Sequence, residues 1–369
     1  MKILIVFRSP IGGLFRHVLD LIKGLCDRGH HVGLVFDANY NISSAHEATL
    51  IRYASLGLMR LQIKRNPSFY DIVITKKILK WIEKQGFDII HGHGAKGGLY
   101  VRLISMLQKN HTSKVVYTLH GGSLHYNRRS IHGYLYLEVE KLLCLFTTSI
   151  IFESQYAYKC FLEKVGQPQC ITQVIYNGLN NYEFEPITYL SNVVEFVYLG
   201  ELRKLKGVDI LIQAVHLLQQ KGYSVNLNIF GAGQDEKVFK ELVVNLSVRN
   251  VKWLGVAENA RDAIKTGRCL VLPSLAESLP YVVIESVAMG VPVLATNVGG
   301  VPEILGKGNV LVIPGSVDDL ADKMRAFLEG NCDAYENIEK NRNRAMTLFN
   351  VESMVDNTIE VYNHCLGKC

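Results

Sequence analysis

Short apolar runs alternate along this chain with amphipathic stretches of helical length, and this alternation limits the possible folds more than any other feature. Between the first two runs lies Leu14–Arg28, whose apolar residues follow a helical spacing and which ends at Gly29. The runs of the first half that we interpret as buried strands are Ile3–Phe7, His31–Phe36, Asp88–His91, Lys114–Thr118 and Ser149–Phe152. Such repetition is typical of βαβ units, in which the strands run parallel.

A second series of the same kind begins after residue 190, following the polar and aperiodic segment Asn180–Ser191. Its predicted strands are Glu195–Leu199, Val225–Phe230, Lys252–Leu254, Cys269–Leu272 and Pro292–Ala295, with helices at Val208–Gln219 and Glu236–Leu246. We therefore predict an α/β protein with two Rossmann-like, doubly wound domains.

Composition agrees with a two-domain globular protein. The chain has 369 residues, 48% of them hydrophobic, which is enough for two buried cores. Its eight cysteines are scattered without a CxxC pair, so neither a zinc site nor a disulfide framework is indicated. After the first predicted strand, the longest apolar stretch is Leu142–Phe152. It is far shorter than the ~20 residues that span a bilayer. A cytoplasmic protein with reduced thiols is expected.

Charge is distributed unevenly. Residues 1–180 carry 22 Lys and Arg against 11 Asp and Glu, whereas residues 181–369 carry 18 against 23. A basic first half favours an anionic partner such as a phospholipid surface or a lipid diphosphate. Solvated surface lysines without a partner would give the same counts. No basic stretch with interleaved aromatic residues and no nucleic-acid-binding motif is present, so we expect no nucleic acid.

Ligands of parallel sheets bind where strands end and helices begin, so the loops at those positions are the candidate sites. Ser9–Gly13 follows the first strand, and its Gly12 and Gly13 allow a close backbone approach to an anion. Gly200–Gly207 (GELRKLKG) follows the first strand of the second series, and Lys206 stands at the helix entrance. A ligand-free tight turn and an exposed basic loop remain the alternatives.

Two further loops follow strands of the second series. Gly231 belongs to a GxG turn, but Glu236 stands where a dinucleotide fingerprint has its third glycine, which weakens an NAD interpretation. The other loop, Pro273–Pro280, places Glu277 before a helix whose apolar run contains Glu285. The backbone N–H groups of Ser278 and Leu279 at that helix start suit sugar or phosphate oxygens, and a carboxylate suits the vicinal hydroxyls of ribose.

These motifs, in this order, resemble the retaining GT-B glycosyltransferases of family 4, the group 1 type, over nearly the whole chain. The second half carries the Glu277-x7-Glu285 pair, GELRKLKG, PSLAES and Asn297–Glu303. The stretches of the first half that carry the resemblance are Gly12–Val18, Arg28–Val32, His91–Gly94, Thr118–Gly121 and Tyr176–Gly178.

The resemblance implies a role for each matching residue. Glu285 would bind the ribose hydroxyls and Glu277 the transferred sugar. Lys206 would neutralise the donor diphosphate, while His120 would face the sugar and the acceptor. Gly13 matches a loop glycine at the diphosphate. The other donor-site residues that we predict are Gly12, Arg203, Gly231, Ser278 and Leu279.

Some positions depart from the family pattern. Many members have arginine where this chain has Glu201, and we expect Arg203 to replace it. Many members read Phe-Gly where this chain has Leu279-Pro280, which removes one backbone donor.

The acceptor-binding residues that we predict are Arg16 and Arg128.

The resemblance also implies an organisation and an activity. Residues 1–180 would bind the acceptor, residues 181–350 the nucleotide sugar, and 351–369 would form a helix that packs back on the first domain, with a cleft between the domains. The predicted enzyme transfers a hexosyl group from a nucleotide-diphosphate sugar, preferably a UDP-sugar, without a metal or other cofactor. The expected acceptor is a glycan or polyprenyl-diphosphate-linked sugar of cell-envelope polysaccharide or O-antigen synthesis, at the inner face of the cytoplasmic membrane. A nucleotide-sugar epimerase and a catalytically silent binding scaffold are the alternatives.

Overall fold

The computed structural model describes residues 1–40, 42–108, 113–126, 128–188, 192–306, 311–331 and 338–368. The chain divides into two compact units. Unit 1 comprises Met1–Gly178 together with Val351–Cys369, and unit 2 comprises Leu179–Asn350. The segment Asn180–Ser191, predicted as an irregular link, begins with a 3-10 turn at Asn181–Phe184, and its residues 189–191 lie outside the described part.

Unit 1 is built on a seven-stranded parallel sheet with the order β3-β2-β1-β4-β5-β6-β7. Its strands are β1 (Lys2–Val6), β2 (His31–Asp37), β3 (Gly57–Leu61), β4 (Ile89–His93), β5 (Lys114–Thr118), β6 (Ser149–Phe152) and β7 (Ile171–Val174). Its helices are α1 (Gly12–Asp27), α2 (Ser44–Tyr53), α3 (Tyr70–Gln85), α4 (Gly94–Leu107), α5 (Ile131–Cys144), α6 (Gln155–Lys164) and α14 (Val351–Cys365). The strand order reverses between β1 and β4, which opens a crevice for ligands at their carboxyl ends.

Unit 2 repeats this architecture in a six-stranded parallel sheet with the order β10-β9-β8-β11-β12-β13. Its strands are β8 (Val194–Leu199), β9 (Leu227–Phe230), β10 (Val251–Trp253), β11 (Gly267–Leu272), β12 (Val293–Thr296) and β13 (Leu311–Val312). Its helices are α7 (Val208–Gln220), α8 (Glu236–Asn245), α9 (Ala260–Ile264), α10 (Tyr281–Ala288), α11 (Val301–Leu305), α12 (Val317–Leu328) and α13 (Ile338–Leu348). Here the order reverses between β8 and β11.

The prediction of two doubly wound parallel sheets is confirmed, and each of the ten predicted strands is present with small shifts at its ends. The strand predicted at Asp88–His91 extends to His93, so a second histidine lies at the carboxyl end of this central strand. The sequence analysis missed three strands that lie at the edges of the sheets: β3, β7 and β13. None of the helices in the described part of the chain combines the length and the apolar character that a bilayer crossing requires.

The last helix, α14, packs on α1 within unit 1. Met354, Val355 and Tyr362 of this helix are buried in the same apolar cluster as the inward face of α1. Contact is so close at Gly24 that a Cβ there would lie 2.5 Å from a methyl carbon of Val355. Arg28 adds ion pairs to two acidic side chains of α14, which contribute little because they are exposed. Apolar packing therefore fixes α14 on unit 1.

Replacing the buried Met354 with alanine is expected to reduce the free energy of unfolding by about 2–5 kcal/mol, because the lost side chain leaves a cavity. Urea unfolding followed by circular dichroism measures the change. Glu352→Ala on the exposed side of the same helix is the control and should have little effect. Equal effects of the two substitutions would contradict the packing described for α14.

Candidate active site

Four loops of unit 2 follow the carboxyl ends of β8, β9, β11 and β12 and join one another through backbone hydrogen bonds. Leu202, after β8, donates to the carbonyl of Ala232, after β9, at 3.0 Å. Leu275, after β11, donates to the carbonyl of Leu205 at 2.8 Å. The loops of unit 2 that carry predicted donor-site residues are thus joined to one another at the reversal of the strand order.

Two glycines permit this close approach. A Cβ on Gly207, whose φ is +67°, would lie 2.0 Å from the carbonyl oxygen of Pro273. A Cβ on Gly231, whose φ is +138°, would lie 1.9 Å from the carbonyl oxygen of Gly200. The N–H of Gly231 already donates to Gly255 at 2.7 Å. The structure therefore gives the predicted donor-site residue Gly231 a packing function between two loops.

Lys206 and Glu277 meet at the reversal of the strand order. Lys206 Nζ donates to Glu277 Oε1 at 2.6 Å, and Ser274 Oγ donates to the same oxygen at 2.7 Å. Glu277 is buried, whereas 24% of the Lys206 side chain is exposed. Thr296, at the end of β12, donates through Oγ1 to the carbonyl of Ser274 at 2.5 Å and holds that loop in place. The carboxylate is thus fixed and the ammonium group stays accessible.

Arg203 and Lys204 lie in the same loop but take different positions. The guanidinium of Arg203 is half-buried and lies 3.5 Å from the carboxylate of Glu201. Lys204 is exposed, and its backbone N–H is bound by Asp235 Oδ2 at 2.8 Å. Arg203 is the N-cap residue of the 3-10 turn Lys204–Lys206, and the side chains of Arg203 and Lys206 are both half-buried.

Helix α10 carries the remaining residues predicted in unit 2. Glu285 is buried within it, and Leu279 is buried two residues before its first residue. The carbonyl of Ser278 accepts a hydrogen bond from Gly300 at 2.6 Å, which links the loop after β11 to the loop after β12. Pro280 is the N-cap residue of α10, with an extended ψ of 118°. The helix therefore begins directly after the predicted loop.

In unit 1, Gly12 and Gly13 are the first residues of α1, directly after the β1 loop. Gly12 has a φ of +66° and open space on the side where a Cβ would stand, and no side chain caps this helix end. Arg16 lies one turn further along α1, 3.6 Å from Asp20. Arg128 is exposed before α5, and nothing in the described contacts brings it to the residues around Gly12.

Three histidines gather at the carboxyl ends of the central strands of unit 1. His93 ends β4, and its Nδ1 lies 3.1 Å from Nε2 of His120, which follows β5. His17 on α1 packs edge-on against His120, with ring centroids 4.7 Å apart. Nδ1 of His17 lies 3.1 Å from Oδ1 of Asn177. The predicted catalytic residue His120 is therefore part of a buried imidazole cluster.

The backbone of His120 adopts a left-handed conformation with a φ of +51°, which is uncommon for residues other than glycine. The buried carboxylate of Glu153, after β6, accepts hydrogen bonds from the N–H groups of His120 at 3.3 Å and Gly121 at 2.7 Å. These two bonds stabilise a turn that would otherwise be strained.

Two family models match this chain over both units. The model described as Glycosyltransferase Family 4 matches residues 11–181, and the model described as Glycosyl transferases group 1 matches residues 189–345. The chain belongs to this family. It is a nucleotide-sugar-dependent glycosyltransferase of a retaining family, and the resemblance found in the sequence is confirmed.

Several known proteins are similar to this chain. A glycosyltransferase of Methanocaldococcus jannaschii, MJ1178, is 29% identical over 98% of this chain and 98% of its own length. The crystal structure of Anabaena HepE in complex with UDP and glucose has a TM-score of 0.81 and 21% identity, covering 99% of this chain and 100% of that one. The lipopolysaccharide outer core galactosyltransferase WaaB has a TM-score of 0.69 and 17% identity over 100% and 99% of the two chains. These structures share the GT-B fold with the chain.

Burial decides the charge of the imidazole cluster in this glycosyltransferase. Burial, together with the neighbouring His120, lowers the pKa of His17 to about 3, and burial lowers that of His120 to about 3. The pKa values of His91 and His93 lie well below the usual range for the same reason. At neutral pH these rings are uncharged, so they act as hydrogen-bond donors and acceptors and not as cations.

Within the described residues, the cluster is also the group best suited to hold a metal ion. His17, His93 and His120 each offer one ring nitrogen, and these three atoms lie within 4.8 Å of one another. Neutral imidazole nitrogens are transition-metal ligands. Two of the three rings already bind each other through a hydrogen bond, which a metal ion would have to replace.

In the sequence, His17, His93 and Asn177 were recognised only as members of family motifs, without a role of their own. Glu153 was not recognised as a site residue. A usable signal was present for His93, because it stands two residues after the predicted strand Asp88–His91, where ligands of parallel sheets bind.

Acid is expected to destabilise this glycosyltransferase through its buried imidazoles. An unfolded histidine titrates near 6.5, whereas folded His17 does so at about 3, so the unfolded state binds more protons between these values. Stability is therefore intact above pH 6.5 and is lost as pH falls towards 3. At pH 5.5 each such residue costs about 1.4 kcal/mol. Urea unfolding between pH 7.5 and 5.5 measures the loss.

The variant His17→Gln should show a shallower dependence of stability on pH than the wild type. His132→Gln on the exposed side of α5 is the matched control and should leave the slope unchanged. A wild-type stability that stays constant over this pH range would contradict the neutral state of the cluster.

Proposed function

We propose that this protein transfers a hexosyl group from a UDP-sugar to a glycan or lipid-linked acceptor in cell-envelope polysaccharide synthesis, with retention of anomeric configuration. The observation that carries the proposal is the pairing of accessible Lys206 with buried Glu277 at the β8–β11 reversal of unit 2. This is the position at which a doubly wound sheet binds nucleotides. It offers one cation for a diphosphate and one carboxylate for a sugar.

Departure of the nucleotide diphosphate is the step that needs charge stabilisation, because negative charge develops on the leaving oxygen. Lys206 and Arg203 supply positive charge, and no metal ion takes part in the proposed reaction. Without donor, Lys206 is neutralised by Glu277 at 2.6 Å. A bound diphosphate competes for the ammonium group with a charge-assisted hydrogen bond, and the released oxygen of Glu277 becomes available to a sugar hydroxyl.

Glu285 and His120 complete the proposed roles. Glu285 is buried in α10, and we assign its carboxylate to the two vicinal hydroxyls of ribose. His120 is neutral and partly exposed, which fits a residue that orients a sugar hydroxyl by hydrogen bonding. The acceptor hydroxyl transfers its proton to the departing phosphate, so the proposed reaction needs no charged histidine.

Two similar structures support the choice of donor and acceptor. HepE is described in complex with UDP and glucose, which favours a uridine nucleotide. WaaB is described as a lipopolysaccharide outer core galactosyltransferase, which favours an envelope glycan. The family match supports a transferase over an epimerase.

The donor site is tested by thermal unfolding in the presence of EDTA against UDP-, GDP-, ADP- and dTDP-sugars. A ligand that binds only the folded state raises the melting temperature by mass action. We expect a rise with UDP-sugars. Lys206→Met and Glu285→Ala should each abolish most of it, because they remove the diphosphate and ribose partners.

Lys204→Met is the matched control, since Lys204 is exposed two residues from Lys206 in the same loop. It should retain the thermal shift. A rise in melting temperature with another nucleotide series instead would show that the donor carries a base other than uracil. Conversion of UDP-sugar without any acceptor would favour an epimerase. Binding without transfer to any lipid-linked or glycan acceptor would favour a silent scaffold.

An exposed apolar surface on unit 1 supports the proposal of a lipid-linked acceptor. Helix α5 exposes four apolar side chains along one face: Ile131, Leu135, Val139 and Leu142. Exposed Arg128 and Lys141 lie beside this stripe. An apolar helix face bordered by cations is typical of proteins that bind at an anionic bilayer surface. We propose that α5 holds the enzyme at the inner face of the cytoplasmic membrane.

Co-sedimentation with vesicles containing anionic phospholipid tests this surface. Binding is expected at low salt and should weaken as salt screens the cations. The double variant Leu135→Ser, Leu142→Ser should bind several-fold less, because it removes apolar area from the stripe. Val244→Ser changes a residue that is 75% exposed on unit 2 and should bind like the wild type. Equal binding of all three proteins would exclude α5 as the membrane contact.

A further inference from the structure

The hydrogen bond between His93 and His120 joins two ring nitrogens, so only one of them can carry the shared proton. Nδ1 of His93 and Nε2 of His120 are 3.1 Å apart. Both rings are neutral, which leaves each with one N–H and one bare nitrogen. The state of the far nitrogen of His93 therefore decides which ring donates.

That far nitrogen, Nε2 of His93, is buried and has no hydrogen-bond partner among the described residues. If His120 donated, His93 would carry its proton on Nε2 and bury an N–H group without an acceptor. If His93 donates, Nε2 is a bare nitrogen and no N–H is orphaned. Orphaned buried N–H groups are rarer in proteins than under-satisfied acceptors.

We propose that His93 donates from Nδ1 and thereby fixes His120 in the tautomer that carries its proton on Nδ1. His120 then offers an N–H at Nδ1 on its partly exposed side chain. In this tautomer Nε2 of His120 is occupied as an acceptor and cannot take a proton from a substrate hydroxyl.

Glu153 positions the same residue through its backbone. Its two carboxylate oxygens each accept one N–H, from His120 and from Gly121, and hold the left-handed turn. His120 is thus held at its ring by β4 and at its backbone by the end of β6. His93 and Glu153 are positioning residues, and this role rests on the proposed contact between His120 and a sugar hydroxyl.

The consequence for transfer is that His120 donates a hydrogen bond to an oxygen of the sugar or the acceptor. A donor fixed in place before the substrate arrives loses little freedom on binding, which favours a single orientation of the hydroxyl. A ring free to exchange tautomers would present an acceptor part of the time and weaken that preference. The tautomer is therefore part of the specificity of the site.

Nuclear magnetic resonance of the full chain with ¹⁵N-labelled histidine tests the tautomer directly. Long-range ring correlations distinguish protonated from bare nitrogens, and the spectrum of His120→Asn identifies the signals of His120. We expect His120 protonated at Nδ1 and bare at Nε2. Protonation at Nε2, a charged ring, or averaging between tautomers would each overturn the proposal. The measurement uses free protein, so it does not depend on whether transfer occurs.

Substitutions at His93 test the origin of the tautomer. His93→Asn keeps an N–H donor near the position of Nδ1 and should preserve the tautomer of His120. His93→Gln moves the donor towards the position of Nε2, and His93→Leu removes it, so both should release the tautomer. Amide spectra and melting temperatures verify that each variant folds. A fixed Nδ1–H tautomer of His120 in folded His93→Leu would show that His93 does not set it.

The same variants connect the tautomer to transfer. With the donor and acceptor identified, kcat should fall about 10- to 100-fold in His93→Leu and His93→Gln and recover substantially in His93→Asn. KM for the donor should change less than kcat, because the proposed diphosphate and ribose partners Lys206 and Glu285 lie in unit 2, whereas His93 lies in unit 1. A merely structural role would lower the activity of all three variants in proportion to their stability. If the tautomer is as proposed and the wild-type protein transfers no sugar, only the proposed function fails.

Discussion

Close approach between backbone segments is the constraint on which unit 2 depends. The Cα of Gly207 faces the carbonyl of Pro273 at a separation that leaves no room for a Cβ. This contact brings the loop after β8 against the loop after β11, although the two are far apart in sequence. Lys206 and Glu277 meet because their loops meet, and a side chain at position 207 would separate them. The chemistry of the donor site is thus a consequence of a glycine contact.

In unit 1, the candidate site depends on the charge state of buried histidines. Its imidazole cluster lies in the half of the chain with the higher positive charge, yet burial holds these rings neutral. Charged groups in the cluster would lose hydration and repel one another, so neutral rings are favoured. Basic side chains of this half such as Lys76 and Arg128 are exposed. The buried Lys96 and Arg102 are each paired with a carboxylate, of Asp71 and Glu140. Net charge therefore describes the surface of unit 1 and says little about its site.

The accuracy of the fold prediction follows from burial. Central strands of a parallel sheet are covered on both faces and appear as continuous apolar runs, so β1, β5 and β11 could be recognised from sequence. Edge strands are covered less completely, and their sequences mix polar and apolar residues. The missed strand β7, with the sequence ITQV, contains no fully buried residue. The missed strand β13 has only two residues and offers no periodicity at all.

The candidate site shows the same division between local and non-local information. Lys206 and Glu277 stand in loops whose sequences are unusual by themselves, and so they were found. The contacts of His93 and Glu153 with His120 depend on strand register. His93 pairs with Thr118 across β4 and β5, two residues before His120, and Glu153 directly follows the end of β6, which pairs with β5. The sequence of one strand does not determine its register with the next strand. The contacts of His93 and Glu153 with His120 can therefore be identified only when the ends of β4, β5 and β6 are aligned.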